Sequence, residues 1–218
     1  MKMKAHLAGA VAALGFSAAA FAQAPMSSPA TAASPAARQR PPRMARETIT
    51  TTLGGKKVAI EYGRPRLGTR TVKDLLSQLG PDRIWRAGGD QATTLTTQGD
   101  LMIGGKRIPA GKYTLYMYAP ETGDYALIVN SDLGVPLKVI YPAAPPELAD
   151  ALWPHLEGYD KIASKEVARI PLKKVTSIGE PTDQFRIALE PPKADASALT
   201  LAWGDQGWTV EVRPAVNP

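Results

Sequence analysis

Cysteine is absent from all 218 residues. That excludes disulfides, thiolate metal sites, a cysteine nucleophile and the modified cysteine of a lipoprotein. Histidine occurs only as His6 and His155, so a multi-histidine metal centre is excluded as well, and neither a metal nor an organic cofactor is expected. The chain contains no G-x-S-x-G, S-x-x-K, H-E-x-x-H or G-x-G-x-x-G. The Gly-Lys pair at 105–106 lacks the upstream glycine and following hydroxyl of a phosphate loop. Aromatic residues make up 6% of the chain and do not interleave with a basic face, so nucleic acid is not an expected partner. Beyond residue 22 no apolar run approaches the roughly 20 residues that span a bilayer.

The one long apolar stretch is LAGAVAALGFSAAAFA at 7–22, preceded by Lys2 and Lys4 and ending in small residues that suit cleavage after Ala22 or Ala24. A basic start followed by a short apolar run is the pattern of a secretory signal peptide, which assigns 1–22. The mature chain is therefore expected to be exported, periplasmic or secreted, with no integral membrane segment. Without Lys2 and Lys4 the formal net charge falls from +6 to +4. Residues 23–45 are rich in Pro, Ala and Ser with a basic end. They cannot bury enough apolar surface to offset the entropy of ordering, so they read as a disordered linker. Residues 46–214 have the length of a single domain with its own core.

That domain reads as all-β. Thr48–Leu53 and Val58–Tyr62 alternate apolar and polar residues around Gly54-Gly55, and Leu101–Ile103 and Lys106–Ile108 repeat the device around Gly104-Gly105. Tyr113, Leu115 and Met117 alternate with Thr114, Tyr116 and Tyr118, and a strand at Tyr125–Val129 follows. Tyr113 stands two residues after a glycine at a strand start, a loose likeness to the tyrosine corner of sandwich folds, although plain core packing is the simpler expectation. Tyr116, Tyr118 and Tyr125 are likewise expected in core and cross-strand packing rather than in an aromatic groove. Val167–Val175, Phe185–Leu189 and a hairpin of 199–203 with 208–212, whose Trp203 and Trp208 face each other near the turn, bring the count to roughly nine strands. That is too many for one open layer, and a two-sheet antiparallel β-sandwich follows. Two short helices interrupt it. One covers Thr71–Leu79, with Thr71 and Asp74 as a capping pair, and the other Pro146–Leu152. The second lies in a Pro-rich insertion, 134–160, read as an excursion over the edge of the sandwich.

What remains for chemistry is arginine. Arg64, Arg66, Arg70, Arg83 and Arg86 crowd one stretch of the chain. Guanidiniums bind carboxylates and phosphates through paired donors, so a converging set would make an anion site. Arg64, Arg70, Arg86 and Asp90 are the candidate ligand-binding residues. The competing expectation is that Glu61, Asp74, Asp82 and Asp90 absorb these arginines in ion pairs, with Arg86 pinning its loop and Arg66, Arg70 and Arg83 simply solvated. Gly88-Gly89 reads as a turn needing positive φ. Thr93, Thr94, Thr96 and Thr97 read as ordinary strand residues. His155 reads as a solvated or edge-packed side chain.

The order IEYGRP at 60–65, Gly68 with Arg70, WRAGGDQATT at 85–94, IGGKRIPAGKYTL at 103–115, ARIPLKK at 168–174 and EPTDQFRIALE at 180–190 resembles the bacterial domain-of-unknown-function family 2911. The resemblance covers most of 46–213, implies an exported protein and supplies no reaction. It also implies two departures. Relatives carry Asn-Glu where this chain has Asp90-Gln91, and Trp-Gly after the strand at 125–129 where this chain has SDLGVPLKV. Three functions stay open. The leading one is a non-catalytic module binding a small anionic or envelope-derived ligand, or an envelope protein, at the Arg64 and Arg86 end. The others are a hydrolase using Glu61 and Asp90, and an assembly protein pairing through edge strands.

Overall fold

A computed structural model describes residues 44–155, 158–175 and 180–216. The expectations for residues 1–22 and nearly all of 23–45 lie outside the described residues. The first sheet contains β1 (Arg46–Leu53), β2 (Lys56–Gly63), β3 (Ile84–Trp85), β4 (Thr94–Thr97), β7 (Gly111–Tyr118), β8 (Ala126–Asn130) and β11 (Glu166–Pro171). The second contains β5 (Leu101–Ile103), β6 (Lys106–Ile108), β12 (Lys173–Val175), β13 (Thr182–Leu189), β14 (Ser197–Gly204) and β15 (Gln206–Pro214). The first runs in the order β1-β2-β4-β7-β8-β11 with β3 on the end of β7. The second runs β13-β14-β15-β5-β6 with β12 beside β15, and the pairings are antiparallel. This is the expected two-sheet antiparallel β-sandwich. At its two seams β1 lies against β13, and β11 against β6.

The core is the sum of the inward alternations. Val58, Ile60 and Tyr62 of β2, Leu115 and Met117 of β7, and Leu127 and Val129 of β8 meet Phe185, Leu201, Trp208 and Val210 of the second sheet. Trp85 stacks on Trp203 at 5.2 Å between ring centroids and meets Phe185 edge-on at 4.8 Å, tying the short β3 to the far sheet. Trp203 and Trp208 do not face each other as expected. The β14–β15 register sets Trp203 opposite Gln206 and Trp208 opposite Leu201, and Trp208 packs on Tyr125 instead. Tyr113 is core and also a corner, its hydroxyl donating to the Pro109 carbonyl at 2.9 Å. The hairpin glycines at 54–55 and 104–105 have positive φ, as tight turns require.

Three local expectations are corrected. The stretch 167–175 is two strands in different sheets. Leu172 still donates its N–H to the Tyr125 carbonyl at 2.8 Å, and beyond this buried residue the chain crosses so that β12 joins β15. The helix at 71–79 is one turn, α1 (Val72–Leu76), closed by the expected Thr71–Asp74 capping box and followed by tighter turns through Leu79. No helix fills 146–152. Only a 3-10 turn at Pro146–Leu148 forms, because Leu152–Trp153 (β10) is drawn into pairing with Val135–Pro136 (β9). A short helix that the sequence did not suggest, α2 (Leu137–Ile140), sits between them.

The insertion does not run over an edge. It covers the outer face of the first sheet, where Tyr159 and Ile162 pack on Tyr116 and Ile128 in a second, smaller core. Alternation forces this, since inward Leu115, Met117, Leu127 and Val129 leave Tyr116 and Ile128 pointing outward as apolar bulk that needs cover. Strand β8 is accordingly buried along its whole length.

Candidate functional site

The segment between β3 and β4 carries WRAGGDQ, and its backbone is unusual. Ala87 and Asp90 within it have positive φ, +48° and +57°, as does Arg83 just before β3 at +56°, a region that costs a residue with a side chain about 1 kcal/mol. The expected positive φ at Gly88 and Gly89 is not found. Those glycines are required for space instead. A Cβ on Gly63 would run into the Gly89 carbonyl, and one on Gly88 would meet the Thr93 hydroxyl. Thr93 is not an ordinary strand residue either. It precedes β4, is 1% exposed, and its hydroxyl donates to the Ala87 carbonyl at 3.0 Å, holding the strained turn. Strain concentrated around one arginine marks that arginine for attention.

The arginines do not converge. Arg64 lies 3.3 Å from Glu47 and donates to the Phe185 carbonyl, and Arg66 reaches Asp183 at 3.4 Å. Arg70 spends Nε and Nη2 on the carbonyls of Leu67 and Arg66, both at 3.2 Å. Arg83 donates to the Ala119 carbonyl at 3.1 Å and stands 4.0 Å from Glu121. Arg70 and Arg83 line a broad cleft of about 830 Å³ beside α1, where Glu121 and Asp205 also sit. Glu61 is matched by Arg46 at 2.9 Å, so it is no free carboxylate for hydrolysis.

Arg86 is different. Among the described residues it makes no ion pair, and its one hydrogen bond, to the Asp90 carbonyl, is long at 3.5 Å. Asp90 thus contributes a carbonyl and a backbone turn, while its side chain lines neither cavity. The half-buried Arg86 instead lines a second, open cavity of about 290 Å³ between the outer face of the first sheet and the insertion. Trp85, Ile84, Leu79, Pro154, Tyr159 and Ile162 supply apolar walls, and Tyr116, His155 and Asp82 the other polar groups.

Tyr116 is 5% exposed and its hydroxyl has no hydrogen-bond partner. The nearby Thr114 hydroxyl is turned to the Asp132 carbonyl at 2.6 Å. Burial pushes the Tyr116 hydroxyl up to about 12, a rise that Asp132 adds to and that Thr114 and Arg86 oppose, so it stays a donor at neutral pH. An unpaired buried hydroxyl costs about 1–3 kcal/mol, a cost that a ligand acceptor would relieve.

His155 is edge-packed rather than fully solvated, with 27% of its side chain exposed. Its Nε2 lies 3.1 Å from Oδ1 of Asp132, which is 9% exposed. Asp132 also accepts from Lys165 Nζ at 2.6 Å and from the Gly134 N–H at 2.8 Å, and its own N–H donates to Asn130 at 2.8 Å. Burial alone would raise the Asp132 carboxyl. The Lys165 and Gly134 hydrogen bonds and the charges of His155 and Lys165 outweigh it and hold the carboxyl below its ordinary value. Gly134 has φ +88° and packs on the Trp153 carbonyl, leaving no room for a Cβ where the insertion turns back. Asn130 further donates to Tyr159 and to the Ile162 carbonyl, and Tyr159 donates to Glu166, so the insertion is fastened to β8 and β11 by a connected polar network. Asp82 turns its oxygens to the backbone N–H groups of Ile84 and Tyr159.

The sequence pointed to Arg86 but not to Tyr116, Asp132 or His155 as its neighbours. The one available signal was Tyr116 alternating out of phase with the core residues of β7. The family model described as "Protein of unknown function (DUF2911)" matches residues 44–212. The chain belongs to this family. Neither a curated protein nor a solved structure matches it. The matched residues include WRAGGDQATT, whose strained turn presents Arg86. The stretch SDLGVPLKV supplies Asp132 and leads into the insertion that lies over the cavity. Among the described residues no group of side chains suits a metal ion, and no helix is long and apolar enough to cross a membrane.

Proposed function

We propose that this protein is an exported binding module that holds a small organic anion in the cavity between β7 and the insertion. Arg86 receives the anionic group there, and the Tyr116 hydroxyl donates beside it. The observation that carries this reading is that Arg86, which among the described residues has no carboxylate partner and only a 3.5 Å bond to the Asp90 carbonyl, lines the same cavity as Tyr116 with its unpartnered buried hydroxyl, while the neighbouring arginines hold carboxylates or make shorter bonds to backbone carbonyls. A volume near 290 Å³ with aromatic and aliphatic walls suits a ligand of modest size with an apolar body. Export is supported by the basic and apolar N-terminus. The alternative of assembly through free edge strands gains no support, since the sheet edges lie against each other at both seams.

Isothermal titration with phenylacetate tests the reading. A charge-assisted hydrogen bond is worth about 1.5–3 kcal/mol, or roughly tenfold to a hundredfold in affinity. The expected result is saturable binding that weakens by that factor in Arg86→Ala and is unchanged in Arg66→Ala. Equal loss in both variants, or no binding to the native protein, would contradict the proposal.

A further inference from the structure

The identity of the ligand can be narrowed by the hydrogen-bonding state of His155, provided the cavity is the anion site argued above. A carboxylate accepts hydrogen bonds and, when ionised, cannot donate. Asp132 is ionised and buried, and its Oδ1 lies 3.1 Å from His155 Nε2, so in the neutral imidazole the proton sits on Nε2. With the ring neutral, this leaves Nδ1 as an acceptor on a side chain that lines the cavity. The tautomer is held firmly, because Lys165 and the Gly134 N–H fix the carboxylate from its other sides.

The residues that line the cavity therefore include a cation at Arg86, a buried hydroxyl at Tyr116 and, with the imidazole neutral, an acceptor at His155. A simple carboxylate satisfies only the first two. We infer that the cavity's ligand is a small carboxylate carrying a hydrogen-bond donor near its acid group, a hydroxy acid or an amino acid, with that donor read by His155 Nδ1. The exposed Asp82 in the same lining would favour the ammonium form over the hydroxyl, so the two sources of the donor are separable.

The test compares four probes by isothermal titration: phenylacetate, its 2-hydroxy and 2-amino derivatives, and the 2-methoxy ether, which accepts but cannot donate. The pH is one at which the 15N NMR spectrum shows the His155 ring neutral. That spectrum, assigned against His155→Ala, also reports the tautomer. The expected result is Nε2–H in the free protein and binding of the hydroxy or amino acid about tenfold tighter than phenylacetate or the ether. The preference should fall to about onefold in His155→Ala. A tighter amino acid identifies the ammonium source, and a tighter hydroxy acid the hydroxyl. An Nδ1–H tautomer, equal affinity for all four probes, or a preference that survives His155→Ala would overturn the inference while leaving the anion site standing. Failure of every probe to bind would remove the anion site, and the inference with it.

Discussion

At the scale of single residues, what a side chain can do here is decided by what already holds it. Arg64 and Arg86 look alike in the sequence, yet one is committed to Glu47 and a carbonyl and the other is not. Removing Arg86 breaks no ion pair, so Arg86→Ala is expected to cost less than about 1 kcal/mol in urea unfolding while weakening ligand binding. Asp132 should behave in the opposite way. Asp132→Ala strands the Gly134 N–H and releases Lys165 and His155. Because Lys165 is half-exposed and can return to water, the expected loss is about 2 kcal/mol, below that of a fully buried pair.

The same carboxylate sets an acid limit. The Asp132 and Glu166 carboxyls are both held below their ordinary values. For Glu166, burial opposes the shift, and the hydrogen bonds from Arg169 and Tyr159 and the charge of Arg169 overcome it. A folded-state value below the unfolded one means stability that is complete above the unfolded range near pH 4 and lost as pH falls through the folded value. Thermal melts should therefore be flat from pH 7 to about pH 5 and fall below it. Asp132→Asn should flatten that acid limb, and an unchanged limb would assign it to other carboxylates.

At the scale of elements, the strained WRAGGDQ turn exists because β2 and the glycines touch. Gly63→Ala would place a methyl group against the Gly89 carbonyl, backbone against backbone with no flexible side chain to move aside. The expected cost is about 3 kcal/mol, at the upper end for overpacking, measurable as a lowered urea midpoint. This turn also shows how far the sequence could be read. Hairpins, the capping box and the sandwich were legible because they depend on period-two alternation and local turn chemistry. The glycine pair was visible too, but its reason was not, since steric contact with Gly63 lies across a sheet rather than along the chain. The insertion failed for the same kind of reason. Its prolines announced irregular structure, whereas its docking on Tyr116 and Ile128 depends on the face of the sheet that needs cover. Arg86 was legible as an arginine, and its lack of a partner became visible only when its neighbours' partners were placed.

At the scale of the whole molecule, a sandwich closed at both seams carries, among the described residues, a broad cleft beside α1 and a smaller cavity under the insertion. The larger one has its guanidiniums already engaged, and the smaller one does not. On the proposed reading the smaller cavity holds the ligand. The most direct measurement is a 1H–15N NMR titration with phenylacetate that reads the arginine Nε–H signals. The Arg86 signal is expected to move furthest and to saturate together with the ring signals of Tyr116 and His155. Movement centred on Arg70 and Arg83, or no saturable movement at Arg86, would contradict it.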